Sequence, residues 1–269
     1  MEVKKFDMNT IKPGKVILMV GKRNTGKSTL IVDVLHHLKN QIPCAVCVSG
    51  SEDGNGFYKQ YMPDIMIYNE YDPNIIQRTV MRQKKITKRK TSGEKVNPHC
   101  LILLDDCAFD KSIFRSKEMR YIVYNGRHIN ITLVIAVQYL VDIPADIRTN
   151  IDLVFGLREN IVTNKERLYK FFYGIFPDFH SFCQCFTACT NNFECLVCDN
   201  TSRSNEISEC VSWYKAPLHS VFRFGHPFYW KLAEKHYNRN YEDDELDNMF
   251  EVKKTYSARK PPIPIKKLE

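Results

Sequence analysis

Residues Gly21-Lys22-Arg23-Asn24-Thr25-Gly26-Lys27-Ser28 satisfy the pattern G-x-x-x-x-G-K-[ST], and no other feature narrows the fold of this 269-residue chain as far. The pattern works only where a strand feeds a helix through a turn whose successive N–H groups face an anion. Both flanks fit: Val16 to Val20 is a β-prone apolar run, and the segment from Lys27 to Lys39 repeats Leu30, Ile31, Val34, Leu35 and Leu38 at helical spacing. The glycines admit backbone conformations and approaches that a side chain would block. Lys27 is placed to neutralise β- and γ-phosphate charge, Ser28 to ligate Mg²⁺, and the helix amino terminus adds partial positive charge. The candidate nucleotide-binding residues are Gly21, Lys22, Arg23, Asn24, Thr25, Gly26, Lys27, Ser28 and Thr29, with ATP and Mg²⁺ as expected cofactors.

Two further segments supply chemistry. In His99-Cys-Leu-Ile-Leu-Leu-Asp105-Asp106, four apolar residues read as a buried strand and the paired acids emerge at its carboxyl end, where α/β sheets place their ligands. Asp105 is the expected Mg²⁺ ligand and Asp106 stands where a general base polarises the attacking water. Gln138 follows the strand-like ITLVIAV, a position from which its amide can reach a γ-phosphate or the lytic water.

Further strands are expected at Cys44 to Ser49 and Ile151 to Leu157, and a helix at Met119 to Asn125. Strands alternating with helices predict an α/β fold whose mostly parallel central sheet is flanked by helices on both faces. Beyond Lys165 the aromatic, cysteine-rich segments FHSFCQCFTAC and FECLVCDN read as a hairpin or edge-strand extension. The organisation expected is an ATPase-sized domain over 1–200, a β-rich extension over 201–252, and a flexible basic, Pro-rich tail over 253–269.

Arg82 to Lys95 carries seven basic side chains and reads as an exposed helix end and loop. Lys84, Lys85, Lys88, Arg89 and Lys90 are the densest candidates for nucleic-acid contact, against the plain alternative of a solvated face. The formal charge of +8 suits a polyanionic partner and also occurs in ordinary soluble proteins. No apolar run approaches the roughly 18–20 residues of a membrane-spanning helix. MEVKKFDMNT shows no signal-peptide core, so a reducing compartment is expected.

The phosphate loop, LILLDD and a Gln-tipped strand, in that order, resemble the additional-strand branch of P-loop ATPases, with a RecA-like core. NGRHINITLVIAVQY resembles the FtsK/HerA group, and the short chain, the DDC sequence and the late FECLVCDNT segment are similar to the poxvirus-type genome-packaging ATPases of nucleocytoplasmic large DNA viruses. That resemblance implies an ATPase that forms a ring, a hexamer or pentamer, and translocates double-stranded DNA into a capsid during virion assembly. It places the protein in the host cytoplasm at the viral factory, or in the virion, with a capsid or membrane-associated capsid protein as a further partner. It implies Arg127 as the arginine a neighbouring subunit inserts into the site, with Arg148 the second candidate. Asp106 departs from the Glu common in the wider superfamily, and its shorter side chain needs a shifted backbone or a second water to act as base.

Two other readings compete. A viral-type thymidine kinase also joins a phosphate loop to late cysteines, but normally shows two C-x-x-C pairs for zinc. Here Cys195 and Cys198 form one, and Leu196-Val197 between them looks like strand interior, where the sulfurs point apart, so buried free thiols are favoured. A non-translocating nucleotide-binding assembly subunit is the third reading.

Overall fold

The computed structural model describes residues 2–52, 56–107, 113–138, 140 and 143–236. The basic tail therefore lies outside the described residues, as does the far end of the 201–252 segment. Among the described residues nine strands form one sheet: β1 (Lys4–Lys5), β2 (Val16–Val20), β3 (Cys44–Ser49), β4 (Ile67–Tyr68), β5 (Cys100–Asp105), β6 (Ile131–Val137), β7 (Leu153–Leu157), β8 (Glu194–Asp199) and β9 (Val211–Lys215), in spatial order β1-β9-β8-β7-β2-β6-β5-β3-β4. From β7 to β4 every pairing is parallel. Of these strands only β8 runs against its neighbours, antiparallel to both β7 and β9.

The helices of the described residues are α1 (Lys27–Leu38), α2 (Pro73–Thr91), α3 (Lys117–Asn125), α4 (Ala145–Arg148), α5 (Val162–Phe172), α6 (Phe179–Ala188), α7 (Ile207–Cys210) and α8 (Pro227–His236). They cover both faces, so the central strands are buried on each side and read as unbroken apolar runs. In β2, Val16, Leu18 and Val20 pack with residues of α2, α3, α5 and α6, while Ile17 and Met19 pack with α1, as the two-residue period of a strand requires. β6 pairs with β2 on one edge and β5 on the other, so the Gln138 strand lies between the phosphate-loop strand and the acid-bearing strand.

The late part of the chain corrects one expectation. FHSFCQCFTAC is not a strand or hairpin: its residues 179–188 are helix α6. Asp178 caps it by accepting the Ser181 N–H, and Phe182 and Phe186, one turn apart, are buried. ECLVCD is a strand, as read, but an interior one, flanked by β7 and β9. Cys195 packs with the α1 layer and Cys198 with the opposite layer, so their sulfurs lie on opposite sides of the sheet.

Candidate nucleotide-binding site

The phosphate loop leaves β2 at Gly21, whose N–H donates to Val137 O on β6 at 3.0 Å. A Cβ at Gly21 would stand 2.7 Å from both Leu157 Cβ and Thr25 Oγ1, so no larger residue fits. Gly26 takes φ 98°, a left-handed turn that launches α1 with its first N–H groups facing the cavity. Two contacts fix the loop: within it Thr25 Oγ1 donates to Lys22 O at 2.7 Å, and from outside it the buried Glu159 pairs with Lys22 Nζ at 2.6 Å. Burial works against the charge on Glu159, but Lys22, the Ile161 N–H and Asn164 together hold its pKa below the usual value.

Three adjacent strand tips converge on Lys27. Its amine, buried at the start of α1, lies 2.5 Å from Asp106 Oδ1 and 3.8 Å from Asp105 Oδ1. Gln138 Nε2 donates to the other Asp106 oxygen at 3.2 Å. Asp106 itself leaves β5 with φ 51°, a left-handed backbone that swings its short carboxylate toward the lysine.

Asp105 is buried, and Tyr58 O–H donates to its Oδ2 at 2.7 Å. Burial raises its pKa; Lys27 and the Tyr58 hydrogen bond pull it down, and Asp106 and Glu52 push it up. Its Oδ1 is buried with no hydrogen-bond partner among the described residues. That open oxygen, Asp106 and the Ser28 hydroxyl lining the same cavity make a hard-oxygen donor set of the kind Mg²⁺ takes. The cavity holds about 820 Å³ and is lined by the phosphate loop through Thr29, both aspartates, Ser51, and Phe193, Lys215, Ala216 and Leu218 from the late segments.

The remaining candidates are elsewhere. Arg127 lies in the turn before β6, 3.5 Å from Asp152 in a separate cavity of about 340 Å³ shared with Lys15 and His99. β6 spans seven residues, so about 23 Å of strand separates that turn from Gln138. Arg148 donates to Ile143 O at 2.8 Å and stacks 3.8 Å over the Phe171 ring. Neither arginine lines the phosphate cavity. Lys84, Lys85, Lys88, Arg89 and Lys90 are exposed on the last turns of α2; Lys84 lies 4.6 Å over the Tyr121 ring and Arg89 pairs with Glu94 at 2.7 Å. Asn130 Nδ2 donates to Thr87 Oγ1 at 3.1 Å, tying those turns to the end of the sheet that bears Arg127.

The family of the poxvirus A32 protein matches residues 3–167, more than half of the chain. The chain belongs to the poxvirus A32 protein family. Among similar sequences, uncharacterized protein 015R of Frog virus 3 (isolate Goorha) is 40% identical over 222 residues, covering 82% of this chain and 68% of its own. Uncharacterized protein L437 of Acanthamoeba polyphaga mimivirus is 31% identical over 255 residues, 93% of this chain and 89% of its own. B204, described as the DNA-packaging ATPase from Sulfolobus turreted icosahedral virus, superposes with a TM-score of 0.54 at 14% identity, over 78% of this chain and all of its own. The conjugation coupling protein TcpA of pCW3 superposes with the same TM-score of 0.54 at 13% identity, over 77% of this chain and 62% of its own. At such identities the superpositions speak for the P-loop ATPase fold. Membership of the A32 family and the P-loop ATPase fold agree with a nucleotide site at the phosphate loop.

Tyr58 and Glu52 are the parts of this A32-family site that sequence reasoning missed. Glu52, buried in the segment after β3, accepts the N–H groups of Tyr58 and Lys59 and so fixes the short helical turn from which Tyr58 reaches Asp105, 47 residues away in sequence. No local pattern announces such a pair. Tyr58→Phe removes a donor to a buried carboxylate, with an expected loss of about 1.5–3 kcal/mol in a urea titration. The Tyr58 hydrogen bond favours charged Asp105, so its loss raises the Asp105 pKa. Titration of the Asp105 carboxyl in metal-free protein, followed by NMR, then moves to higher pH; a shift to lower pH, or none, would show that Tyr58 does not set the charge of Asp105.

Proposed function

We propose that this protein is an ATP-driven motor that translocates double-stranded viral DNA into the capsid during virion assembly, acting as a ring homo-oligomer. The observation that carries the reading is the convergence of Lys27, Asp106 and Gln138 at three neighbouring strand tips, in a chain of the A32 family. Lys27 holds the terminal phosphate and exchanges its Asp106 partner for it, which frees Asp106 to take a proton from the attacking water. Gln138, hydrogen-bonded to Asp106, orients that water and feels whether the phosphate is present. Ser28 and Asp105 would hold Mg²⁺, which would offset charge on the phosphate oxygens. Arg127 or Arg148 reaches the site of a neighbouring subunit; the position of Arg127 at the far end of the sheet excludes it from its own. A capsid or membrane-associated capsid protein anchors the ring in the viral factory.

The test is phosphate release with and without duplex DNA at two salt concentrations. DNA should stimulate turnover, and stimulation should fall steeply with salt, with log affinity declining by about 0.9 per neutralised phosphate against log salt. Replacing Lys85, Lys88 and Lys90 by Ala is expected to weaken DNA binding and flatten that slope by about one for each phosphate that the variant no longer neutralises. Phosphate appearing on thymidine instead would establish the kinase reading. Tight ATP binding without turnover would establish the passive assembly subunit.

A further inference from the structure

The phosphate cavity continues beyond the residues that handle phosphate. Its opposite lining is mostly apolar, built from Phe193, Ala216 and Leu218, with Lys215 beside them, on segments that follow the phosphate-loop and LILLDD motifs in sequence. Phe193 is 65% exposed and Leu218 89% exposed, although most of the large apolar side chains of the sheet are buried. Phe193 is also held in an unfavourable backbone: it takes φ 65° directly after Asn192 at φ 51°. A bulky residue persists in the left-handed region only where the surroundings impose it, and such outliers gather at ligand sites. The imposed position is specific. A Cβ at Gly26 would lie 3.3 Å from Phe193 Cβ and 3.5 Å from its Cδ1, so the aromatic side chain rests against the phosphate loop.

We propose that Phe193 is the platform on which the nucleobase of the bound triphosphate stacks, with Leu218 as the facing wall. This rests on the nucleotide-site reading above and extends it to base recognition. The cavity of about 820 Å³ is within the range of small-molecule sites. One side, lined by Lys27 and the two aspartates, suits a triphosphate and its metal; the other suits the flat apolar face of a base. Stacking reads the face of a base and not its edge, so the Phe193 platform itself discriminates little between adenine and guanine.

The test is calorimetric binding of Mg-ATP, Mg-GTP and Mg-tripolyphosphate, the last having no base, to the full-length protein and to Phe193→Ala and Phe193→Tyr. Stacking on an aromatic ring is worth about 1–3 kcal/mol per base, a five- to 150-fold effect. The preference for ATP over tripolyphosphate should fall by roughly that factor in Phe193→Ala and return in Phe193→Tyr, and wild type should bind ATP and GTP within about fivefold of each other. An unchanged preference in Phe193→Ala, or equal weakening of ATP and tripolyphosphate, overturns the proposal, since the ring would then only prop Gly26. Failure of wild type to bind either triphosphate overturns the nucleotide-site reading itself, and the platform with it.

Discussion

Asp106→Asn is expected to lower ATP turnover by about 10²- to 10⁴-fold while nucleotide affinity changes by no more than about fivefold. The substitution is nearly isosteric, so the left-handed turn at φ 51° can persist; the Asn oxygen still accepts from Lys27, and Gln138 keeps its contact by turning its amide so that Oε1 accepts from the new NH2. What it removes is the ability to accept a proton. Steady-state phosphate release set beside direct nucleotide binding separates the two effects. Turnover within about fivefold of wild type would mean that Asp106 serves only to pair with Lys27, and that another group activates the water. Lys27→Ala, in contrast, should weaken both turnover and triphosphate affinity, because the amine meets the phosphate in the ground state as well as in the transition state.

Phe182→Ala should cost about 3–5 kcal/mol of folding stability, read from the midpoint of a urea titration. Phe182 is fully buried, and its ring is within 5.2–6.2 Å of the rings of Tyr169, Tyr173, Phe176, Phe179 and Phe186. Truncation leaves a ring-sized cavity at the meeting point of α5, α6 and the sheet, and the surrounding aromatics are too stiff to close it. Cys183→Ser, next in sequence but only half-buried, is the control and should cost far less. A loss below about 1 kcal/mol at Phe182 would mean that α6 is not docked as described.

Both predictions bear on what the sequence alone can reveal. The bounds read for Cys44–Ser49 and Ile131–Val137 match the strands because parallel strands covered on both faces must be continuously apolar, and polar residues end them sharply. The phosphate loop and LILLDD were legible for the same reason: each is a local strand followed by a chemically distinctive tip. Phe179 to Ala188 was not. Its cysteines and phenylalanines favour strands on average, and only the placement of Phe182 and Phe186 against the sheet selects a helix. Tyr58 and Phe193 were invisible because each matters through a partner distant in sequence, Asp105 in one case and Gly26 in the other. β1 escaped notice as well: two lysines that pair with Ser212 and Trp213 of β9 carry no periodicity at all.

The strand that ends in Gln138 is hydrogen-bonded along both edges, to β2 and to β5, and its other end meets the turn that carries Arg127. A strand clamped in this way can neither stretch nor buckle, so it is a rigid spacer. It holds the Gln138 amide and the Arg127 turn about 23 Å apart, so the distance between the phosphate pocket and the Asp152 cavity is set by the length of one strand.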